Sequence, residues 1–391
     1  MRPADEAELV AAIGQAAARG ERLEIRGGGS KAGFGAPVED ATLLDMTGFA
    51  GVIDYDPAEL VLTVGAATPL AEVEALIAGQ HQMLTFEPFD HGPIYGAPGG
   101  AATIGGVVAA GVAGSRRVSG GAARDHLLGF KGVSGRAEPF TGGAKVVKNV
   151  TGYDLPKIIA GSWGRLVALT EVTLKVMPAG RARATLAAQG LSAEGARAFM
   201  AAAMGSQAMV AAAAHLPAAC SGGVALTAIR LEGFGPTMAA RSAMVQAASQ
   251  GAAIQTLGEE EADGFWNRLR TLKPLAGEAP LWRVNVAPRG GPAVVAALEP
   301  LGARWLFDWA GGLVWLAFDG DPALVRDAAA AAGGHATLVR GPETLRAQIA
   351  ALHPPPAGVS RLEARVRRAF DPAGVFETGR FPAGEAAFNA D

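Results

Sequence analysis

Three consecutive glycines follow a short alternating segment, Leu23 to Ile25, in the string Arg26-Gly27-Gly28-Gly29-Ser30. Because glycine has no Cβ, several backbone N–H groups of such a loop can converge on one anionic group without help from a lysine. The loop therefore predicts a diphosphate cradle. A flexible surface turn stays open as the alternative, since triple glycine is not rare in a chain with 54 glycines.

A second glycine cluster runs from 98 to 111 and contains isolated polar residues such as Thr103. It is followed by Arg124-Asp125 and by the segment 148–154, Lys148-Asn149-Val150-Thr151-Gly152-Tyr153-Asp154. Glycines in such density bring backbone close to a ligand or turn it sharply. The polar residues of 148–154 are then either surface groups or a network beside that ligand.

Several common catalytic motifs are absent. No lysine follows a glycine, so there is no Walker A loop, and no G-x-G-x-x-G follows a strand, which argues against a nicotinamide site. The six histidines never stand at H-x-x-H or H-x-x-x-H spacing, and there is no G-x-S-x-G elbow. Zinc hydrolases, serine hydrolases and nucleoside-triphosphate enzymes are thereby disfavoured.

The strings RGGGS, TIGGVVAAGVAGSRR, ARDHLLGF, KNVTGYDL and GSWGRLVALTEVTLKV, with the tail RRAFDPAGVFETGRF, carry a resemblance. The chain resembles the flavin-binding domain of the vanillyl-alcohol oxidase, or PCMH-type, family over residues 1–180 and again over about 361–380. The strings LWRVNV and FDWAGGLVWLAFDG between them are similar to the FAD-binding subunits of bacterial glycolate oxidase.

The resemblance implies an FAD site. Its cofactor-binding residues would be Gly27, Gly28, Gly29, Ser30, Thr103, Gly105, Gly106, Lys148, Tyr153, Ala168 and Leu169. The strand near Ala168 departs from the family pattern at Arg165 and Val167, where threonine and glycine are more usual. Family members that link the flavin covalently often carry a histidine where this chain has Ser30, so we expect FAD to be non-covalent.

The resemblance also bears on the reaction. Members that oxidise 2-hydroxy acids carry a histidine pair and a further acid, and this chain has no such string, so its catalytic residues are unknown and no metal site is predicted. We expect an electron-carrying or supporting subunit that works with a catalytic flavoprotein subunit and an iron–sulfur subunit in oxidising glycolate, a small 2-hydroxy acid, to glyoxylate.

Two other readings stay open. One is a standalone dehydrogenase, in which Arg283 or Arg380 holds the substrate carboxylate and Tyr153 or His91 is the base. The other is a structural subunit whose flavin site is vestigial.

The elements that must position these residues alternate between helix and strand. Apolar spacing predicts a helix over 5–19 ending at Gly20, strands over 60–65 and 166–176, and a helix over 361–370 after the stiff segment His353 to Pro356. An alanine-rich helical region is predicted over 181–215, and strands over 281–286 and 313–318. We predict an α+β or α/β fold: a two-subdomain PCMH-type domain over 1–180, a smaller α+β substrate or cap-like domain over 181–353, and a linker, helix and tail over 354–391 that return to the flavin domain.

Composition limits the partners and the compartment. A net charge of −3 without a lysine-rich block leaves no attraction for nucleic acid. The single cysteine, Cys220, excludes a disulfide within the chain and fits a small buried apolar side chain. The acidic N-terminus lacks the features of a signal peptide, so we expect a cytoplasmic chain that reaches a membrane only through a partner.

Four tryptophans and one arginine complete the predictions. Trp282, Trp305, Trp309 and Trp315 are expected in the core or at an interface. Arg283 is the only charge in an apolar strand, and it is either an edge-strand residue facing water or a buried cation that meets a carboxylate.

Overall fold

The computed structural model describes residues 1–144, 153–249 and 251–382. The helices there are α1 Glu6–Arg19, α2 Leu70–Ala78, α3 Ile104–Ala110, α4 Arg117–Gly120, α5 Ala123–His126, α6 Leu155–Ile159, α7 Ala193–Gly205, α8 Ala218–Ser221, α9 Met238–Ala247, α10 Glu259–Thr271, α11 Gly291–Leu298, α12 Pro322–Ala331, α13 Glu343–Gln348 and α14 Ala357–Phe370. The strands are β1 Leu23–Arg26, β2 Thr42–Asp45, β3 Val52–Asp56, β4 Val61–Gly65, β5 Gln82–Met83, β6 Leu127–Ser134, β7 Pro139–Gly143, β8 Val167–Lys175, β9 Met177–Pro178, β10 Ala182–Gln189, β11 Ala212–Leu216, β12 Leu226–Gly233, β13 Ile254–Thr256, β14 Leu281–Asn285, β15 Arg304–Asp308, β16 Leu313–Ala317 and β17 His335–Arg340.

The first helix is determined locally. Asp5 accepts a hydrogen bond from the backbone N–H of Glu8 at 2.8 Å, and Gly20 ends the helix in the left-handed conformation with φ 66°. Leu9 and Ile13 face inwards and pack with β1, β2 and the C-terminal segment. The helix predicted over 5–19 is confirmed, and it fixes the strand from which the glycine loop leaves.

The N-terminal part of the chain, which carries the glycine loop, contains a small parallel pair of strands and a larger antiparallel sheet. Strands β1 and β2 are parallel, with Leu23 opposite Thr42. The five-stranded sheet has the order β3-β4-β8-β6-β7, and every pair in it is antiparallel. The predicted strands over 60–65 and 166–176 correspond to β4 and β8.

An eight-stranded antiparallel sheet follows, in the order β13-β10-β12-β11-β15-β16-β14-β17. Its strands β10 and β11 correct the prediction of a helical region over 181–215, of which α7 is the only helix within the described residues. Ala187, Ala212 and Ala214 face one core cluster, whereas Ala188 and Ala213 face another. Because small alanines fill both faces, the sequence shows no alternation of apolar and polar residues and resembles a helix.

The C-terminal segment returns to the first helix. Helix α14 begins at Ala357, directly after the prolines and four residues before the predicted start. The carboxylate of Asp371 accepts from the N–H groups of Val375 and Phe376, at 2.9 and 2.7 Å, and Val375 O accepts from Leu23 N at 2.7 Å. The end of the chain is thereby held beside the strand that carries the glycine loop.

The tryptophans predicted in the core are buried, with exposures of 1–7%. Within the described ranges, no helix combines the length and apolar character that crossing a membrane requires.

Candidate functional site

The glycine loop presents free backbone donors. Among the residues that the structure describes, the N–H groups from Gly27 to Lys31 donate to no acceptor. Unpaired donors in succession are the feature that an anion-binding loop requires, because buried backbone N–H groups otherwise find partners. The loop therefore has the donors of an anion cradle.

Close backbone approach explains the glycines. A Cβ on Gly28 would lie 1.7 Å from the carbonyl oxygen of Ala101, and a Cβ on Gly27 would lie 2.7 Å from Thr103 Oγ1. Gly29 has φ +76°, which L side chains rarely adopt. Side chains are excluded here by the neighbouring loop before any ligand is considered.

The opposite wall is the start of α3. Thr103 Oγ1 accepts from Gly106 N at 3.3 Å, and Gly105 N donates to Ala66 O at 2.7 Å. A Cβ on Gly105 would lie 2.6 Å from that same oxygen. These residues shape the wall, but the N–H groups of Gly105 and Gly106 already donate to other acceptors.

Loop and wall enclose a groove of about 890 Å³, counting the space that opens to solvent, which is within the usual range for cofactor sites. The groove brings together the following predicted site residues: Gly27, Gly28, Gly29, Ser30, Thr103, Gly105, Gly106 and Leu169.

Two predicted site residues, Ala168 and Tyr153, do not line the groove. Side chains alternate along β8, so Leu169 lines the groove while Ala168 packs in the cluster of α1. Tyr153 is 87% exposed and does not line the groove. Lys148 lies outside the described residues.

Two cations of the groove were not predicted as cofactor-binding residues: Lys31 was not singled out, and Arg380 was named only as a carboxylate binder of a standalone dehydrogenase. Lys31 follows the loop directly; burial lowers its pKa to about 8, with Asp90 opposing the shift, and its Nζ is 3.4 Å from Ser30 Oγ. Arg380 lines the groove from the C-terminal segment and donates to Ala32 O and Phe34 O at 2.9 and 2.6 Å. The position of Lys31 directly after the glycines could have indicated its role at the loop. Arg380 gives no such indication, because it is 350 residues from Ser30 in the sequence.

A second cavity adjoins the groove, and we call it the Arg283 cavity. It measures about 580 Å³ including its open side, and it shares the walls Ala110 and Trp163 with the groove. Its lining is aromatic: the Trp163 ring stacks on Phe34 at 4.1 Å, and His91 stacks on Phe89 at 4.5 Å. Such a surface suits a planar ring system.

The position of Arg283 differs from both predictions, an edge-strand residue facing water and a buried cation that meets a carboxylate. Strand β14 lies between β16 and β17 rather than at an edge, and no described carboxylate forms an ion pair with Arg283. Its guanidinium lies 5.0 Å from the centre of the Trp309 ring. Burial lowers the pKa of Arg283 to about 10, nearby Arg117 acts in the same direction, and Asp308 opposes them. The cavity thus contains a cation that forms no ion pair with a carboxylate of the described residues.

His91 is the only histidine of that cavity. Burial, followed by the charge of Lys31, holds its pKa well below the usual value. Its imidazole is therefore neutral at physiological pH, and it is a weak base.

Comparisons with known proteins agree with this geometry. A family model described as FAD binding domain matches residues 1–141. A solved structure of alkyldihydroxyacetonephosphate synthase superposes with a TM-score of 0.67 at 15% identity, covering 96% of this chain and 76% of that one. At that identity the match concerns the fold alone. A D-lactate dehydrogenase of Archaeoglobus fulgidus is 28% identical over 189 residues, which are 48% of this chain and 40% of that protein. Fold, groove and family model define the class: an FAD-linked oxidoreductase with a PCMH-type FAD-binding domain.

A more extensive match identifies the family within that class. Glycolate oxidase subunit GlcE of Escherichia coli (strain K12) is 34% identical over 375 residues, covering 95% of this chain and 96% of that protein. The chain belongs to the GlcE family of glycolate oxidase subunits.

Proposed function

We propose that this chain binds FAD non-covalently and serves as an electron-carrying or supporting subunit in the oxidation of glycolate to glyoxylate. The observation that carries the proposal is the run of free N–H groups from Gly27 to Lys31 along the groove. Its partners would be a catalytic flavoprotein subunit and an iron–sulfur subunit, and it would meet a membrane only through them. The domain division at 180 and 353 belongs to the same proposal.

The residues of the groove fit FAD. The loop N–H groups and the Lys31 ammonium would bind the diphosphate, because the N–H groups have no described acceptor and Lys31 forms no ion pair with a described carboxylate. The aromatic walls of the Arg283 cavity would bind the flavin ring and exclude water from it. When bound, FAD supplies the two-electron chemistry that no side chain of this chain can perform.

Covalent attachment has no support from the side chains near the groove. Ser30 lines it where a linked family member carries histidine, and Cys220 is buried near Trp305, whose carbonyl it contacts at 3.3 Å. Acid precipitation of the flavin-loaded protein should therefore release all flavin into the supernatant. Flavin fluorescence that stays with the pellet would contradict the non-covalent assignment.

One observation favours the standalone dehydrogenase. Arg283 is a cation without an anionic partner, and a substrate carboxylate could bind it. This alternative lacks a suitable general base, because the pKa of His91 is lowered and Tyr153 is exposed to solvent.

The flavin absorbance of the purified, isolated chain, with and without glycolate, distinguishes the three possible functions. Flavin colour that glycolate does not bleach supports the proposed subunit, and bleaching by glycolate supports the standalone dehydrogenase. A folded chain without colour, which takes up no added FAD, supports a vestigial site. The same assay on the assembled complex is the positive control. General-base catalysis contributes about 10²–10⁴-fold, so the isolated chain should be slower by at least that factor.

A further inference from the structure

A third cavity lies between the FAD-binding domain, which contributes residues 87–115, and the eight-stranded sheet with α10. We call it the α10 cavity. It measures about 900 Å³ including its open side. Exposed residues of α10, among them Asp263 and Asn267, form its mouth, and Ser115 and Asp308 line its buried end. A polar cavity of this size has room for water between solvent and a buried carboxyl group.

Asp308 is unusual among the acids of the chain. It is 4% exposed, its carboxyl group accepts from Ser115 Oγ at 2.9 Å and from Trp309 N at 2.7 Å, and no described cation forms an ion pair with it. Burial raises the pKa of Asp308 to about 7, with Glu87 adding to the rise and Arg230 opposing it. A carboxyl group of this kind gains and loses a proton near neutral pH.

None of the described charged groups near Asp308 forms an ion pair with its carboxyl group. Glu87 and Arg230 pair with each other at 2.6 Å, and Arg230 also meets Glu232 at 3.1 Å. Asp308 also acts on Arg283 of the neighbouring cavity, where its charge opposes the lowering of the Arg283 pKa by burial. Arg230 is thus paired with other carboxylates, and Arg283 lines a different cavity from Asp308.

Only one layer of side chains separates the two cavities. Phe89, Ala113 and Trp315 line both the α10 cavity and the Arg283 cavity. Ser115 follows Ala113 by two residues, and its hydroxyl can donate to the carboxylate or accept from the carboxylic acid. Asp308 therefore lines the α10 cavity, which shares a wall of side chains with the Arg283 cavity next to the groove.

We propose that Asp308, hydrogen-bonded to Ser115, is a proton relay between the Arg283 cavity and solvent. The proposal rests on the proposed function. A bound reduced flavin in its anionic form, FADH⁻, would release one proton as it passes two electrons, one at a time, to an iron–sulfur acceptor. The Asp308 carboxylate takes up that proton, becomes a carboxylic acid and releases it to the water of the α10 cavity, which restores the carboxylate. The electrons leave separately, so Asp308 is not itself oxidised or reduced.

Two measurements test the relay. FAD occupancy is determined first, and a wild-type protein that takes up no FAD overturns the proposed function and the relay with it. Infrared spectra between pH 5 and pH 9 should then show one carboxylic acid titrating near pH 7, and Asp308→Asn should remove that band. Stopped-flow reoxidation of the reduced flavin by ferricyanide, which accepts electrons but no protons, should be slowed about tenfold or more in Asp308→Asn.

Two further variants complete the design. Ser115→Ala removes a hydrogen bond that lowers the Asp308 pKa, so the infrared titration should move to higher pH and remain visible. If Asp308→Asn does not fold, the infrared titration of Ser115→Ala tests the proposal instead. The exposed Asp319→Asn is the matched control, and neither measurement should change. A titrating band that persists in Asp308→Asn, or equal reoxidation rates in wild type and Asp308→Asn with FAD bound, overturns the relay and leaves the FAD site intact.

Discussion

The groove and the region around Asp308 and Arg283 both present charged or hydrogen-bonding groups, but different parts of the chain supply those groups. The groove is made of backbone: consecutive N–H groups over 27–31 and glycines that allow loop and wall to approach closely. The Asp308 region is made of side chains from distant segments; the Ser115–Asp308 hydrogen bond, for example, joins residues 193 positions apart. A backbone site is fixed by local conformation, whereas a side-chain site depends on how two sheets pack. Variants should therefore affect the two regions independently.

The largest effect is expected from Gly28→Val. Its Cβ would lie 1.7 Å from Ala101 O, so the loop must move away from the wall. FAD affinity should fall by a factor of roughly 1,000 or more, about 4 kcal/mol. Titration of the apoprotein with FAD measures this. Gly258→Val is the matched control, because nothing lies within 4 Å of its Cβ and its φ is −61°. Normal FAD affinity in a folded Gly28→Val protein would contradict the cradle.

The next effect concerns the pH dependence of stability. The Asp308 pKa is raised from its ordinary 3.8 to about 7, so the folded state holds a proton that the unfolded state has lost between those values. The stability that Asp308 contributes is therefore present at low pH and lost as the pH rises through this window, by about 4 kcal/mol. Chemical denaturation of the apoprotein at pH 4 to 8 should show this decline in wild type relative to Asp308→Asn. Parallel pH profiles of the two proteins would mean that Asp308 titrates normally.

A smaller effect is expected from Lys31→Met. It removes a charged donor next to the loop without disturbing the backbone, and FAD affinity should fall about 10-fold to 100-fold at pH 7. Because burial lowers the Lys31 pKa to about 8, wild-type affinity should also decline above that pH, and the variant should not follow. Lys157→Met removes an exposed lysine paired with Asp154 and serves as the control.

The smallest effect is a gain of stability. Arg283 is a partly buried cation without an ion pair in the described part of the chain, so Arg283→Met should stabilise the apoprotein by about 1 kcal/mol. Arg230→Met should do the opposite, because it strands Glu87 and removes the stacking of Arg230 on Trp266. A loss of stability in Arg283→Met, measured by thermal unfolding without ligand, would show that the guanidinium has a stabilising role in the empty cavity.

The sequence by itself determined the features that depend on neighbouring residues. Asp5 and Gly20 bound α1, and the alternation over 166–176 marks β8. The glycine loop and the wall at Thr103 were readable because local conformation and the lack of a Cβ create them. The resemblance of these strings also indicated the FAD-binding class.

Tertiary structure alone decided the rest. Alanines that fill both faces of β10 and β11 hid two strands inside an apparent helix, because only the neighbouring layers distinguish the faces. Arg283 was expected to face water or a carboxylate, and packing placed it against Trp309 instead. Arg380 reaches the groove, and Asp308 meets Ser115, only because the chain folds back over hundreds of residues. Burial and distant contacts set the charge of such groups, and neither quantity is encoded in local spacing.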